Sequence, residues 1–191
     1  MRSIHRFTLA AGLIIAGAVP AAAAMRGTTT DDRTAARATT QQGLDDPTIV
    51  AIFDAANTAD IETGDLAAKR GSTKEVRDLG AMFARDHRAV RQQGRDLAKK
   101  LGVTPTPPKN DHSAADQAAL MKTLESKHGA AFDKAYLAHE VQFHQQVIDE
   151  VQQQLLPAIK NAELKALVVK VAPAFQAHLM AAQHLQKQLG D

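Results

Sequence analysis

The chain is predicted to be an all-α protein: four long amphipathic helices forming an antiparallel four-helix bundle, with an extra short helix before the third long one. Three observations predict this. Apolar residues recur at steps of three and four through four separate stretches, and no run alternates with period two. Capping residues, glycines and prolines punctuate those stretches. Most joints are short, which makes neighbours in sequence antiparallel neighbours in space.

The N-terminus is read apart from the bundle. Arg2, His5 and Arg6 precede an apolar run from Phe7 to Val19, which is too short to span a bilayer comfortably. Ala22, Ala23 and Ala24 then fit a small-residue cleavage site. This layout predicts a secretory signal peptide over 1–24, and hence an exported protein of the periplasm or cell envelope. Residues 25–44 are rich in Thr, Arg and Asp, with little apolar content to bury, and read as a disordered linker. The bundle domain is assigned to 45–191, long enough for one core. No transmembrane segment is expected in the mature chain.

Composition excludes several classes. The chain has no cysteine, so disulfides, thiolate metal sites, C-x-x-C-H haem attachment and cysteine nucleophiles are ruled out. The formal net charge is +2. Arg2 and Arg6 lie in the predicted signal, so the remainder is near neutral. That charge points to neither nucleic acid nor an anionic membrane surface as a partner. Phosphate-binding glycine loops, hydroxyl nucleophile elbows and paired Glu-x-x-His units are missing too. The only Glu-x-x-His spacing, Glu125 to His128, stands alone beside Gly129.

Each helix has its own start and stop. Asp46 as cap and Pro47 in the first turn begin the first, which ends at Arg70 before Gly71. Ser72 with Glu75 three residues on has capping-box form and begins the second, which ends at Leu101 before Gly102. Residues 103–110 hold three prolines and form a loop. Ser113 opens the short helix, which ends near His128 and Gly129. The third long helix runs from about Ala130 to Leu155, and Asn161 caps a fourth that ends near Gly190. Pro173 lies inside that fourth helix and is expected to bend it.

The buried faces follow from the spacing. The first seam is Ile49, Phe53, Ala56, Asp60, Thr63 and Ala67. The second is Val76, Gly80, Phe83, His87, Val90, Gly94, Leu97 and Leu101. The third is Asp133, Leu137, Glu140, His144, Val147, Val151 and Leu155, and the fourth is Leu164, Val168, Val171, Phe175, His178, Ala182, Leu185 and Leu189. Asp60, His87, His144 and His178 interrupt the four seams, one per helix. A buried ionisable group is costly unless it has partners. Counted from the two short turns, the four lie within about two helical turns of a common level. Three imidazoles and a carboxylate at one level suit a divalent transition metal such as zinc, iron or copper. Asp86 and Glu140 are candidate acceptors for holding ring tautomers, and Glu62, at the edge of the first apolar face, is a weaker candidate. His112, His128, His139 and His184 fall off the seams and are expected at the surface.

Four stretches carry a resemblance: ADIETGDLA at 59–67, FARDH at 83–87, FDKAYL at 132–137 and APAFQAHL at 172–179. Together they resemble the DUF4142 family, exported bacterial proteins with a ferritin-like helical fold that are often labelled predicted outer membrane proteins. The resemblance covers about residues 46–189. It implies a ferritin-like bundle and maps the family's first-helix acid onto Asp60, where Glu is usual. It maps the family's histidines onto His87, His144 and His178, its Phe-Asp-x-x-Tyr element onto Asp133 and Tyr136, and its proline onto Pro173. Helical seams cannot make a transmembrane barrel, whose strands alternate with period two. Two non-enzymatic functions are expected ahead of a third, an enzyme such as an oxidase working at the same metal. One is a metal-binding bundle of the periplasm. The other is a non-catalytic module of the cell envelope, with an unidentified protein partner, in which the buried histidines only hydrogen-bond one another.

Overall fold

The computed structural model describes residues 44–190. The predicted signal peptide, and the predicted linker up to residue 43, lie outside the described residues. Among the described residues there is no strand. Five helices form: α1 (Asp46–Arg70), α2 (Lys74–Leu101), α3 (Ser113–Glu125), α4 (Gly129–Glu150) and α5 (Ala162–Leu189). After Glu150, α4 continues through a π-helical turn (Val151–Leu155) and a last turn (Leu156–Ala158).

Two predicted caps move by one residue, and the displaced side chains have other work. Asp45, not Asp46, caps α1 by accepting from the Thr48 N–H at 2.9 Å. Asp46 instead accepts the Lys160 and Asn161 N–H groups, both at 2.9 Å. Thr73, not Ser72, caps α2. Ser72 donates its hydroxyl and its N–H to Asp133, and the Thr73 N–H joins them at 3.2 Å. Asn161 caps α5 as expected, accepting from Glu163 and Leu164.

These two carboxylates fix the topology. Asp46 ties the α4–α5 turn to the start of α1, and Asp133 ties the α1–α2 turn to the start of α4. The two short turns therefore lie at opposite ends of the bundle. With α1 ascending, α2 descends, α4 descends and α5 ascends. The chain returns from the foot of α2 to the head of α4 through the proline loop and α3. The loop meets the start of α1 through Thr106 N–H to the Pro47 carbonyl. The far end of α3 meets the end of α1 through Arg70, which donates to the Glu125 and Lys127 carbonyls. Contacts join α1 to α2, α2 to α5, α5 to α4 and α4 to α1, so each long helix runs antiparallel to both of its neighbours.

The core has two apolar parts. One contains Ile49, Phe53, Val147, Leu164, Val168 and Phe175. The other contains Val76, Phe83, Phe132, Tyr136, Leu137 and Leu185. A polar layer at the middle of the four long helices lies between them. The predicted seams are buried with few exceptions. In the last turns of α2, Ala98 is buried while Val90, Leu97 and Leu101 are half-buried. Leu189, in the final turn of α5, is 42 % exposed. The helix α5 is long and apolar enough to cross a bilayer by length and composition, yet its seam faces the other helices.

The α1–α2 contact is unusually close. A Cβ on Gly64 would stand 2.7 Å from the Gly80 carbonyl oxygen, and one on Gly80 would stand 2.7 Å from Ala67 Cβ. Both obstacles belong to the facing helix, so neither can swing aside. This contact is one turn from Asp60 and two turns from His87, and it brings those side chains within reach of each other. Gly80→Ala gains roughly 1 kcal/mol of helix propensity but forces the helices apart. Overpacking costs about 1–3 kcal/mol, so a urea titration should show a net loss of stability.

A cleft of about 430 Å³ lies between α1, the π-helical turn and the middle of α5, and Glu150 lines it. Burial pushes the Glu150 carboxyl up from its ordinary 4.5 to about 7. The folded state therefore holds this proton where the unfolded chain has lost it. The resulting stability is present below about pH 4.5 and is lost as pH rises to about 7. Glu150→Gln removes that loss. Thermal unfolding at pH 8 should find it about 1 kcal/mol more stable than the parent, allowing for screening at the rim, and little different at pH 4.

Candidate metal centre

The polar layer contains Asp60 from α1, His87 from α2, Glu140 and His144 from α4, and His178 from α5, all buried. Each lies near the midpoint of its helix. They share a level for that reason, although the two turns from which the level was counted are at opposite ends. One ring nitrogen from each of His87, His144 and His178 lies within 4.8 Å of the other two, and Asp60, Glu140 and His144 form a second group within the same limit.

The outward-facing ring nitrogens are held by acceptors, which sets the tautomers. Asn57 donates its amide N–H to the Phe53 carbonyl at 2.7 Å, leaving its Oδ1 to accept from His87 Nδ1–H at 2.9 Å. His144 Nδ1–H donates to the Glu140 carbonyl at 3.0 Å. His178 Nε2–H faces Asp86 Oδ2 at 3.3 Å. The inward nitrogens are then His87 Nε2, His144 Nε2 and His178 Nδ1, each with a lone pair. Two of them, His87 Nε2 and His178 Nδ1, stand 3.1 Å apart. Lone pairs at that distance repel unless a proton or a cation lies between them. Tetrahedral ligands with bonds of 2.0–2.1 Å stand about 3.3 Å apart. Asp60 Oδ2 completes that pattern at 3.3 Å from His87 Nε2, outside hydrogen-bond geometry.

The carboxylates add charge and unsatisfied acceptors. Both oxygens of Asp60, both of Glu140, and His144 Nε2 are buried without a hydrogen bond among the described residues. Orphaned acceptors of this kind cost roughly 1–3 kcal/mol each, and more when charged. Desolvation pushes the Asp60 carboxyl well up, helped by Glu140 and opposed by His144. Desolvation also pushes up Glu140, but His144, His139 and Thr63 outweigh it and hold it down. Burial pulls His144 down, yet Asp60 and Glu140 raise it to about 9. His87 is held well below its ordinary value by burial and by the other two imidazoles, and His178 is held below by burial and His144. The layer is neutral with one proton on Asp60 and one on His144. It is equally neutral with both carboxylates ionised, three neutral rings and one divalent cation.

His87, His144 and His178 thus meet in one group, while Asp60 belongs to a second group with Glu140 that shares His144, its Oδ2 3.3 Å from His87 Nε2. The supporting residues are partly rearranged. Asp86 holds His178 on α5, not its neighbour His87. The carboxylate of Glu140 belongs to the donor group, while its backbone carbonyl holds His144. Tyr136 is buried with its hydroxyl beside Glu140, and its ionisation is pushed well up by burial and then by Glu140 and Asp60. Asp133 does not reach the layer, because it is committed to Ser72 and Thr73. Glu62 is exposed and accepts from Gln117 on α3 at 3.0 Å. His112, His128 and His184 are exposed as expected. His139 is half-buried against Phe143, which lowers its pKa. Asn57 went unpredicted. Its only signal in the sequence is a polar side chain three residues before Asp60, on the flank of the apolar face.

Among the described residues, fold and site define a helical bundle with a buried histidine–carboxylate layer. The family comparison is more particular. The model described as Domain of unknown function (DUF4142) matches residues 29–185, and the chain belongs to that family. No curated protein and no solved structure matches it.

The acceptors behind the rings are open to test. Residues that hold ligand tautomers typically contribute 10–100-fold to metal affinity. Were the layer to hold a divalent cation, Asn57→Ala and Asp86→Asn would each weaken its binding by about that factor. Glu62→Gln should leave it unchanged. Competition against a chromophoric chelator reads all three.

Proposed function

We propose that this protein is an exported, ferritin-like bundle that holds one divalent transition-metal cation, of the zinc, iron or copper class, in its polar layer. His87 Nε2, His144 Nε2, His178 Nδ1 and Asp60 are the donors, with Glu140 beside them. The observation that carries this reading is the set of three inward lone pairs, each fixed by an acceptor behind its ring. The buried charge of the two carboxylates, which a divalent cation neutralises, supports it. Nitrogen-rich ligation favours a transition metal over calcium or magnesium. Four protein donors with Glu140 in reserve make a closed set, which suits holding a metal better than exchanging substrates at it. The long crossover between α2 and α4 supports the ferritin-like description. The basic, apolar and small-residue layout of residues 1–24 supports export to the periplasm or cell envelope.

A second reading rests on the His87–His178 contact. A proton between those nitrogens would make the layer a hydrogen-bonded core in a non-catalytic envelope module. Elemental analysis of protein purified without chelator separates the two. The metal reading expects about one metal per chain, and a His87→Ala, His144→Ala double variant reduced to background. Substoichiometric metal, with unchanged affinity in the double variant, would overturn it in favour of the proton-linked core. Affinity should fall as pH is lowered, because Asp60 and His144 hold protons that the cation displaces. Calorimetry in buffers of different ionisation enthalpy should find about two protons released per cation near neutral pH.

A further inference from the structure

The cleft beside Glu150 has the construction of a ligand site. Its floor is apolar, formed by Phe53 and Ala56 of α1, Val147 of α4, and Val168, Val171 and Phe175 of α5. The π-helical turn and the proline inside α5 both border it. The turn supplies Val151, Gln152 and Leu155 to one wall, and Pro173, inside the continuous helix α5, stands on the other. π-turns are uncommon and concentrate at functional sites. Pro173 has no N–H, so the Val169 carbonyl on the same wall lacks its helical donor. Val169 itself is 54 % exposed at the rim.

Glu150 is the only charged residue lining this cleft. Glu150 is half-buried, and no hydrogen bond or ion pair to it occurs among the described residues. Asn57 also lines the cleft, but its amide is engaged by His87 and Phe53. The wall therefore offers one charged group, the Glu150 carboxylate, beside the neutral amides of Gln152 and Gln176, and no cation. A cavity of about 150 Å³ accepts a benzene ring. At about 430 Å³ this cleft has room for roughly fifteen heavy atoms on the same scale.

We propose that the cleft is a binding site for an apolar molecule carrying a protonated amino group, with its tail on the Phe53–Val168–Phe175 floor and its amino group on Glu150. Charge complementarity selects the head group, since an ammonium satisfies the carboxylate and has further donors for the Val169 carbonyl. The nearly all-apolar floor selects the tail. The upward shift of Glu150 agrees, because it reports a carboxylate that lacks a cation. The site is independent of the metal. It is nevertheless close to the polar layer, because Phe175 packs against both His87 and His144 with ring centroids 5.3 and 6.3 Å apart.

Dodecylamine and dodecanoate share a tail and differ in the sign of the head. Calorimetric titration of each at pH 8, below its aggregation threshold, tests the proposal with the full chain. The expected result is saturable binding of one dodecylamine per chain, at least about ten-fold tighter than dodecanoate, a difference of about 1.4 kcal/mol. Glu150→Gln, which keeps the side chain's shape, should bring the two probes to within about three-fold. Ala172→Phe, which fills the cleft, should abolish binding of both. Absence of saturable binding to the parent protein would overturn the proposal. Equal binding of the two probes, or an amine preference that persists in Glu150→Gln, would do the same. The Glu150→Gln comparison decides even if the filled variant fails to fold. None of these outcomes depends on whether a metal is bound.

Discussion

Charge neutrality in one buried layer is the constraint around which this bundle is arranged. Asp60, Glu140 and three imidazoles occupy the middle of the core, where an uncompensated charge would cost several kcal/mol. They are tolerable only if they stay close enough to balance one another. The Gly64–Gly80 approach serves that need, because it brings the helices carrying Asp60 and His87 together. Two apolar clusters on either side of the layer bury it. Asn57, Asp86 and the Glu140 carbonyl then point each ring inward. Removing one ring leaves the carboxylates worse served, so the layer behaves as a unit.

The connection between α2 and α4 explains how the layer is assembled from both hairpins. A short turn there would have produced a simple up-down bundle. The proline loop and α3 carry the chain back the full length of α1, so α4 starts at the same end as α2. Every long helix then has antiparallel neighbours, and its midpoint coincides with theirs. The level of the site is therefore set by helix length: four helices of similar span, each with its polar interruption near the centre.

The amino-acid sequence revealed the seams, because 3.6-residue periodicity reports which side of a helix is buried. It revealed Asp60, His87, His144 and His178 for the same reason, as ionisable residues at apolar positions. Periodicity does not report which helix stands opposite. Asp86 therefore seemed to belong to its neighbour His87, while in the fold it reaches His178 across the α2–α5 contact. Glu62 lies at the edge of a face, where a small rotation turns a side chain from core to surface, and there it meets α3. Asp46 and Ser72 had the chemistry of caps. The adjacent Asp45 and Thr73 had it too, and only the tertiary contacts decide between them. The π-helical turn has no comparable mark in the sequence, since its residues continue the helical pattern.

Asp46 and Asp133 have a consequence for how the molecule comes together. Each closes the turn of the hairpin to which it does not belong. The α1–α2 hairpin alone would leave the Ser72 and Thr73 amides to water, and the α4–α5 hairpin alone would do the same with Lys160 and Asn161. Neither half is a finished piece of structure. Folding is therefore cooperative across the crossover, with the two hairpins locking each other at both ends. A chain cut within residues 103–110 would keep every one of these locks, so its halves have reason to remain associated.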